Sequence, residues 1–200
     1  MNIDILIING SPRKNKNCFK ISEEIINTLN QNNISNKIFN IYDMNIEYCT
    51  ACGFCEQTGF CKFKDDMAPM YEMFDKAKGV IVISPVNFDS VTAKLKTLVD
   101  RTQAIYASKY ILKKPSIDRN KKRIGMYIAV GGSTSYETQF MGGQIVMDFF
   151  FKSVNNKLKY NIYLNNTDKL KYEENSKYTM NFINTVDNYR MTERCVKYGF

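Results

Sequence analysis

Four closely spaced cysteines, Cys49-x2-Cys52-x2-Cys55-x5-Cys61, carry the most specific chemical signal in this chain. Two-residue spacings let successive thiolates turn inward on a compact loop, and Gly53 and Gly59 permit tight backbone geometry. Four soft thiolates suit an iron-sulfur cluster or zinc. In the ferredoxin run C-x2-C-x2-C-x3-C-P the last cysteine serves a second cluster. Here the fourth cysteine lies farther along and Lys62, not Pro, follows it, so one [4Fe-4S] cluster ligated by all four is the natural reading. Zinc is a second reading, although its C-x2-C pairs normally stand farther apart. Reduced or disulfide-paired thiols without metal are a third. Lys62 and Lys64 would partly offset the negative charge of a four-thiolate cluster, or be ordinary solvated lysines.

A second group lies near the beginning, in Gly10-Ser11-Pro12-Arg13-Lys14-Asn15-Lys16-Asn17-Cys18. It stands between an apolar run and a helical pattern, where unpaired N–H groups and the helix dipole suit a phosphate. Ser11 can donate its hydroxyl, Arg13 a charge-assisted contact and Asn17 its amide. Neither G-x-x-x-x-G-K-[ST] nor G-x-G-x-x-G is present. Ser and Asn here could equally cap the helix, with Arg13 a solvated charge.

Other chemistries are closed off by composition. The chain has no histidine, which excludes a Ser-His-Asp triad, a Cys-His dyad, and His-ligated zinc or haem. Hydrophobic residues at 44% and charged residues at 24% are ordinary for a folded chain, and 200 residues make one domain over 1–200. Lys plus Arg total 28 against 20 Asp plus Glu, a net charge of +8. The basic residues are scattered apart from Lys113, Lys114, Arg119, Lys121, Lys122 and Arg123, so a nucleic-acid partner is not expected. The run Ile3 to Ile8 is short, contains Asp4 and does not resemble a secretory leader. No stretch approaches the roughly 20 apolar residues of a spanning helix. A cytoplasmic protein with no membrane partner is expected, and in that reducing compartment clustered thiols suit metal or redox work.

The elements that must position these groups follow from periodicity. Ile3 to Asn9, Ile34 to Tyr42, Gly79 to Ser84, Arg123 to Val130 and Leu158 to Leu164 read as strands. Gly79 to Ser84 is apolar on both faces, as in the centre of a parallel sheet. Helical patterns cover about Lys16 to Gln31, Asp65 to Lys76, a segment carrying Val91, Leu95, Leu98 and Val99, Thr138 to Val154, and Asn175 to Arg190. Residues 102 to 122 read as an irregular basic excursion, Phe149 to Phe151 as core, and Cys195 as no ligand. Such alternation predicts an α/β fold: a doubly wound, five-stranded parallel sheet in the flavodoxin-like order 2-1-3-4-5, with a cysteine-rich loop at 45–65 after strand 2. Loops 10 to 18, 85 to 90 and 131 to 135 each follow a strand and would meet on one rim.

Gly10-Ser-Pro-Arg-x-x-x-Asn17, with Ser84-Pro-Val-Asn-Phe-Asp-Ser-Val-Thr-Ala-Lys-Leu-Lys and Asp100-Arg101, closely resembles the NAD(P)H-dependent FMN reductase family. More narrowly it resembles the iron-sulfur flavoproteins of that flavodoxin-like group. The match runs from residue 3 to about 101, with less agreement near Gly131-Gly132. The resemblance implies FMN, its phosphate held by Ser11, Pro12, Arg13, Asn17 and Cys18. It puts Pro85, Val86, Asn87, Phe88, Asp89 and Ser90 against the isoalloxazine and Gly131, Gly132 and Ser133 near its pyrimidine end. It extends to Cys49, Cys52, Cys55 and Cys61 as cluster ligands and gives Asp100-Arg101 a structural role. Departures from the family pattern are Lys16 for Gly, Cys18 for Ser or Thr, Asn87 for an aromatic residue, and Asp89 for Gly. Phe88 is then the candidate stacking partner in place of Asn87.

Function follows from the resemblance as an expectation. FMN takes a hydride from NAD(P)H, a transient co-substrate, and passes electrons through the cluster or directly to a quinone, flavin or protein acceptor. The flavin carries the chemistry, so no side chain need act as catalyst. The resemblance also implies a homodimer or homotetramer in which two chains shape each flavin pocket, with the cysteine loop near the partner's flavin. The alternative is a non-catalytic flavin and iron-sulfur electron carrier reduced by a partner such as ferredoxin.

Overall fold

Five residues in a row, Ile5–Asn9 (β1), are buried, and the pleat sends them alternately to two different cores. Leu6 and Ile8 join one cluster; Ile5 and Ile7 join the other. The computed structural model of the protein describes residues 3–169; the helix expected at 175–190 and Cys195 lie outside them. Beside β1 run β2 (Asn36–Asn40) and β3 (Gly79–Pro85), followed by β4 (Ile124–Val130) and β5 (Lys157–Leu164). All pairings are parallel and the order is β2-β1-β3-β4-β5, a flavodoxin-like doubly wound sheet.

Helix α1 (Asn17–Gln31) covers one face through Cys18, Ile21, Ile25 and Leu29. The other face carries α3 (Ala68–Lys76), α4 (Ala93–Arg101), α5 (Gln103–Tyr110) and α6 (Met141–Ser153), packed through Phe74, Leu95, Leu98, Ile105, Phe150 and Phe151. Each fully buried Ile, Leu or Phe contributes about 1.5–3 kcal/mol through water-excluded area. Phe150 and Phe151 are core as expected, while Phe149 faces outward.

Local differences from the sequence reading have physical causes. Strand 2 is shorter than Ile34 to Tyr42, because a 3-10 turn at Ile41–Asp43 folds Ile41 into the core. Helix α3 starts at Ala68 rather than near Asp65: Asp65 accepts the Met67 N–H at 3.1 Å and Asp66 accepts the Asn45 N–H at 2.6 Å. Helix α6 starts at Met141, not Thr138, whose hydroxyl donates to Asp89 at 2.9 Å. Residues 102 to 122 are not wholly irregular, since α5 buries Ala104, Ile105, Ala107 and Ser108. Its small buried residues produce little hydrophobic periodicity. A further short helix, α2 (Phe54–Thr58), lies inside the cysteine segment between Gly53 (φ 73°) and Gly59 (φ 79°). Left-handed backbone at both ends is what glycine supplies without steric cost.

Candidate functional site

The carboxyl ends of β1, β3 and β4 face one cavity of about 240 Å³ at the point where the strand order reverses. Ser11, Pro12, Arg13, Asn17 and Cys18 line it from the first loop, Pro85, Val86 and Asn87 from the second, and Gly132 from the third. The first loop is braced from within. Ser11 donates its N–H to Asn9 Oδ1 at 2.9 Å, and the Arg13 N–H donates to Ser11 Oγ at 3.2 Å. Thr92, the N-cap of α4, donates its hydroxyl to the Gly10 carbonyl at 2.9 Å.

Among the described residues no capping bond from the N-cap residue Lys16 closes α1, and its first turn holds no acidic residue. Its leading N–H groups and dipole therefore act on whatever occupies the cavity, with Arg13 and Lys16 adding positive charge. Lys14 is used elsewhere, pairing with Asp43 at 2.8 Å. Cys18 is buried, which pushes its thiol up to about 12 and leaves it a neutral, weak donor.

Residues 85 to 90 divide into two groups. Pro85 to Asn87 line the cavity, the Val86 N–H donating to the Val130 carbonyl at 2.9 Å. Asn87 and Ser90 exchange backbone hydrogen bonds of 2.9 and 3.1 Å, closing a turn with Phe88 at φ 48° and Asp89 at φ 57°. Phe88 stands fully exposed at the tip and is not part of the cavity lining. Asp89 turns away to accept hydrogen bonds from Tyr136 and Thr138.

Gly131 and Ser133 lie beside the cavity rather than on its lining, tied to the segment after β5. The Thr167 hydroxyl donates to the Gly131 carbonyl at 3.0 Å, and the Asn166 N–H donates to the Ser133 carbonyl at 2.7 Å. Thr167 and Asp168 line the cavity themselves, as do Lys16 and Val130, and sequence reading missed all four. The rim rule could have found Thr167 and Asp168, since they too follow a strand end.

A second cavity, of about 330 Å³, is lined by Cys49, Cys52, Cys55 and Cys61 together with the C-terminal end of α4 and the start of α5. None of the four is in a disulfide, and Cys52 is exposed. A hydrogen bond with the Phe54 backbone lowers the Cys52 thiol pKa, whereas burial raises that of Cys55. Among the described residues, no three Cys, Asp or Glu side chains are gathered on a single-ion site. All four thiols line one space, and four sulfur donors are a set that either an iron-sulfur group or zinc accepts.

Arg101 anchors that wall. It is buried, and its Nη1 and Nη2 donate to the two Asp65 carboxylate oxygens at 2.6 and 3.0 Å. Nη1 also donates to the Glu47 carbonyl at 2.7 Å, while the Glu47 N–H donates to Asp65 at 2.9 Å. The guanidinium lies 5.0 Å from the Phe63 ring centroid, and Tyr71 donates to the Arg101 carbonyl at 2.9 Å. Burial opposes the Arg101 charge, but the Asp65 hydrogen bond overrides it and the guanidinium pKa is raised. Burial likewise opposes the Asp65 charge, yet Arg101 and the backbone donors hold the carboxyl below its usual value. Asp100 pairs with Lys96 at 2.7 Å, so the adjacent Asp100 and Arg101 are not each other's partners.

Fold and rim together define a flavodoxin-like α/β protein whose β1–α1 loop opens onto a cavity at the β1/β3 switch point. The chain belongs to the NADPH-dependent FMN reductase family, whose pattern matches residues 3–141. It is 36% identical to an iron-sulfur flavoprotein of Methanocaldococcus jannaschii over 149 residues, 72% of this chain and 68% of that protein. It is 34% identical to one from Archaeoglobus fulgidus over 128 residues, 64% of this chain but only 62% of the relative's length. Among solved structures, an NAD(P)H:quinone oxidoreductase from Methanothermobacter marburgensis superposes with TM-score 0.68 at 15% identity, over 97% of this chain and 100% of the other. An FMN-dependent NADH-azoreductase from Bacillus anthracis, in complex with FMN, reaches 0.67 at 14% identity, over 95% and 100%. At such identities the likeness is one of fold. No helix among the described residues is long and apolar enough to cross a membrane.

Proposed function

We propose that this chain is an FMN-dependent oxidoreductase that takes electrons from NAD(P)H and delivers them to a quinone, a flavin or a protein acceptor, with one [4Fe-4S] cluster held by Cys49, Cys52, Cys55 and Cys61. The observation that carries the reading is the N-terminus of α1, opening with Ser11, Arg13 and Lys16 onto a cavity at the switch point of an FMN reductase family fold. Arg13, Lys16 and the first N–H groups of α1 bind the phosphate, with Ser11 donating its hydroxyl. Pro85, Val86 and Asn87 orient the ring system; Phe88, Asp89 and Ser90 hold that wall in place as a turn. Gly131, Gly132 and Ser133 approach its far end under Thr167 and Asp168. Bound FMN would supply acceptance of an electron pair and its release one electron at a time, chemistry that belongs to the cofactor and not to side chains.

A homodimer or homotetramer accompanies this reading. Met141, Ile145 and Phe149 stand exposed at successive i, i+4 positions of α6, and the phosphate and cysteine cavities share no lining residue. A second copy would bring its cysteine loop to this chain's flavin, and sedimentation velocity of the flavin-loaded protein tests the assembly.

The deciding experiment is anaerobic FMN titration followed by NAD(P)H oxidation with a dye acceptor, alongside iron, sulfide and zinc analysis. Quenched flavin fluorescence with pyridine-nucleotide turnover is expected. A competent flavin without turnover would favour the electron carrier reduced by a partner such as ferredoxin, and failure to bind FMN would overturn the reading.

A further inference from the structure

We infer that the Asp168 carboxylate accepts a hydrogen bond from the pyrimidine N3–H of bound FMN, and so fixes the polar edge of the ring. The inference rests on the FMN reading above and concerns a residue beyond the span 3–141 that the family pattern matches. Asp168 lines the rim cavity together with Gly132. A Cβ on Gly132 would overlap both Asp168 carboxylate oxygens, so the carboxylate itself fills the space where a side chain of that lining residue would stand. Backbone bonds hold it there. The Asp168 N–H donates to the Gly132 carbonyl at 3.1 Å, and the Thr167 N–H to the Gly131 carbonyl at 3.2 Å. Among the described residues the carboxylate has no hydrogen-bond or ion-pair partner, although Arg13 and Lys16 line the same cavity.

Two cations and an unpaired carboxylate on one cavity call for an occupant of two chemistries. A phosphate is attracted to Arg13 and Lys16, whereas beside Asp168 it would meet like charge. The group that reaches Asp168 displaces water from an exposed carboxylate, and it loses affinity unless it donates a hydrogen bond in return. Oxidised isoalloxazine carries one ring N–H, at N3 of its pyrimidine. Carbonyl oxygens flank that N–H and would be repelled by the carboxylate, so the two groups match only with N3 turned towards Asp168. The ribityl hydroxyls are donors too, but they stand between ring and phosphate. Asp168 is tied instead to Gly131-Gly132-Ser133, the segment expected at the pyrimidine end.

The test is fluorescence titration of the full chain with FMN and with its N3-methyl analogue, which keeps the phosphate and loses the donor. The parent should bind FMN about tenfold or more tightly than the analogue, the scale of a hydrogen bond to a charged group. In Asp168→Ala that preference should fall to near unity, and Asp168→Asn, whose amide oxygen still accepts, should keep part of it. The methyl group also adds bulk, so the bond is read directly with FMN labelled with 15N at N3. The bound N3–H proton should lie downfield in the parent and move upfield in either variant. Equal affinities in the parent, a preference unchanged in Asp168→Ala, or an unmoved N3–H resonance would each overturn the inference and leave FMN binding standing. A parent that binds neither flavin overturns the FMN reading itself.

Discussion

Three charged side chains carry most of the argument at the scale of the residue. Arg13 lines the cavity beside the start of α1, and on the function proposed above its loss would remove a charge-assisted bond to phosphate. Arg13→Ala should weaken FMN binding by about 1.5–3 kcal/mol, read by fluorescence titration; unchanged affinity would remove Arg13 from the site. Cys52→Ala should lose broad iron-sulfur absorption and keep the flavin spectrum, as optical spectra and iron analysis would report. Asp65 and Arg101 form a buried pair in which each partner compensates the other. Asp65→Asn leaves the guanidinium without its counter-charge and should cost about 3–5 kcal/mol at neutral pH, measured by urea unfolding. The folded-state pKa of Asp65 lies below its ordinary 3.8. Its contribution is therefore complete above that value and lost as pH falls through the lowered one, so parent and variant should converge in stability only in acid. A gap that persists unchanged at the lowest pH would argue against the ion pair as its source.

Among the elements, β4 and α6 meet at close range. A Cβ on Gly125 would overlap the Phe151 ring, and Phe151 is fully buried. Gly125→Ala should destabilise the fold by about 1–3 kcal/mol, visible as a lower urea midpoint, because the core has no room into which the ring can retreat. A neutral substitution would mean that α6 shifts freely against the sheet. The apolar strands were legible because burial on two faces leaves continuous runs such as Gly79 to Ser84. Helix α5 was not, because Ala104, Ala107 and Ser108 fill close helix contacts with small side chains that carry no periodic signal. The outward turn at Phe88 was also hidden, since two left-handed residues without glycine contradict the usual turn chemistry.

Over the whole molecule, part of the net charge of +8 is met by partners within the chain. The basic run at 119–123 is partly consumed internally, with Arg123 and Lys121 both directed to Asp75. Bound ligand should instead show in global stability. FMN at about 100 times its dissociation constant should add about 2.7 kcal/mol, so the thermal midpoint should climb with FMN concentration. A midpoint indifferent to FMN would mean that the rim cavity is not its site. By itself the sequence determined the alternation of strands and helices, the chain order of the loops and the four thiols, because hydrophobic periodicity and motif spacing are local properties. Only the tertiary structure decided that Asp65 meets Arg101 across 36 residues, that Thr167 and Asp168 line the rim cavity, and that Phe88 stands exposed at the tip of a turn. Those outcomes depend on which distant segments become neighbours, and that is settled by packing against the sheet.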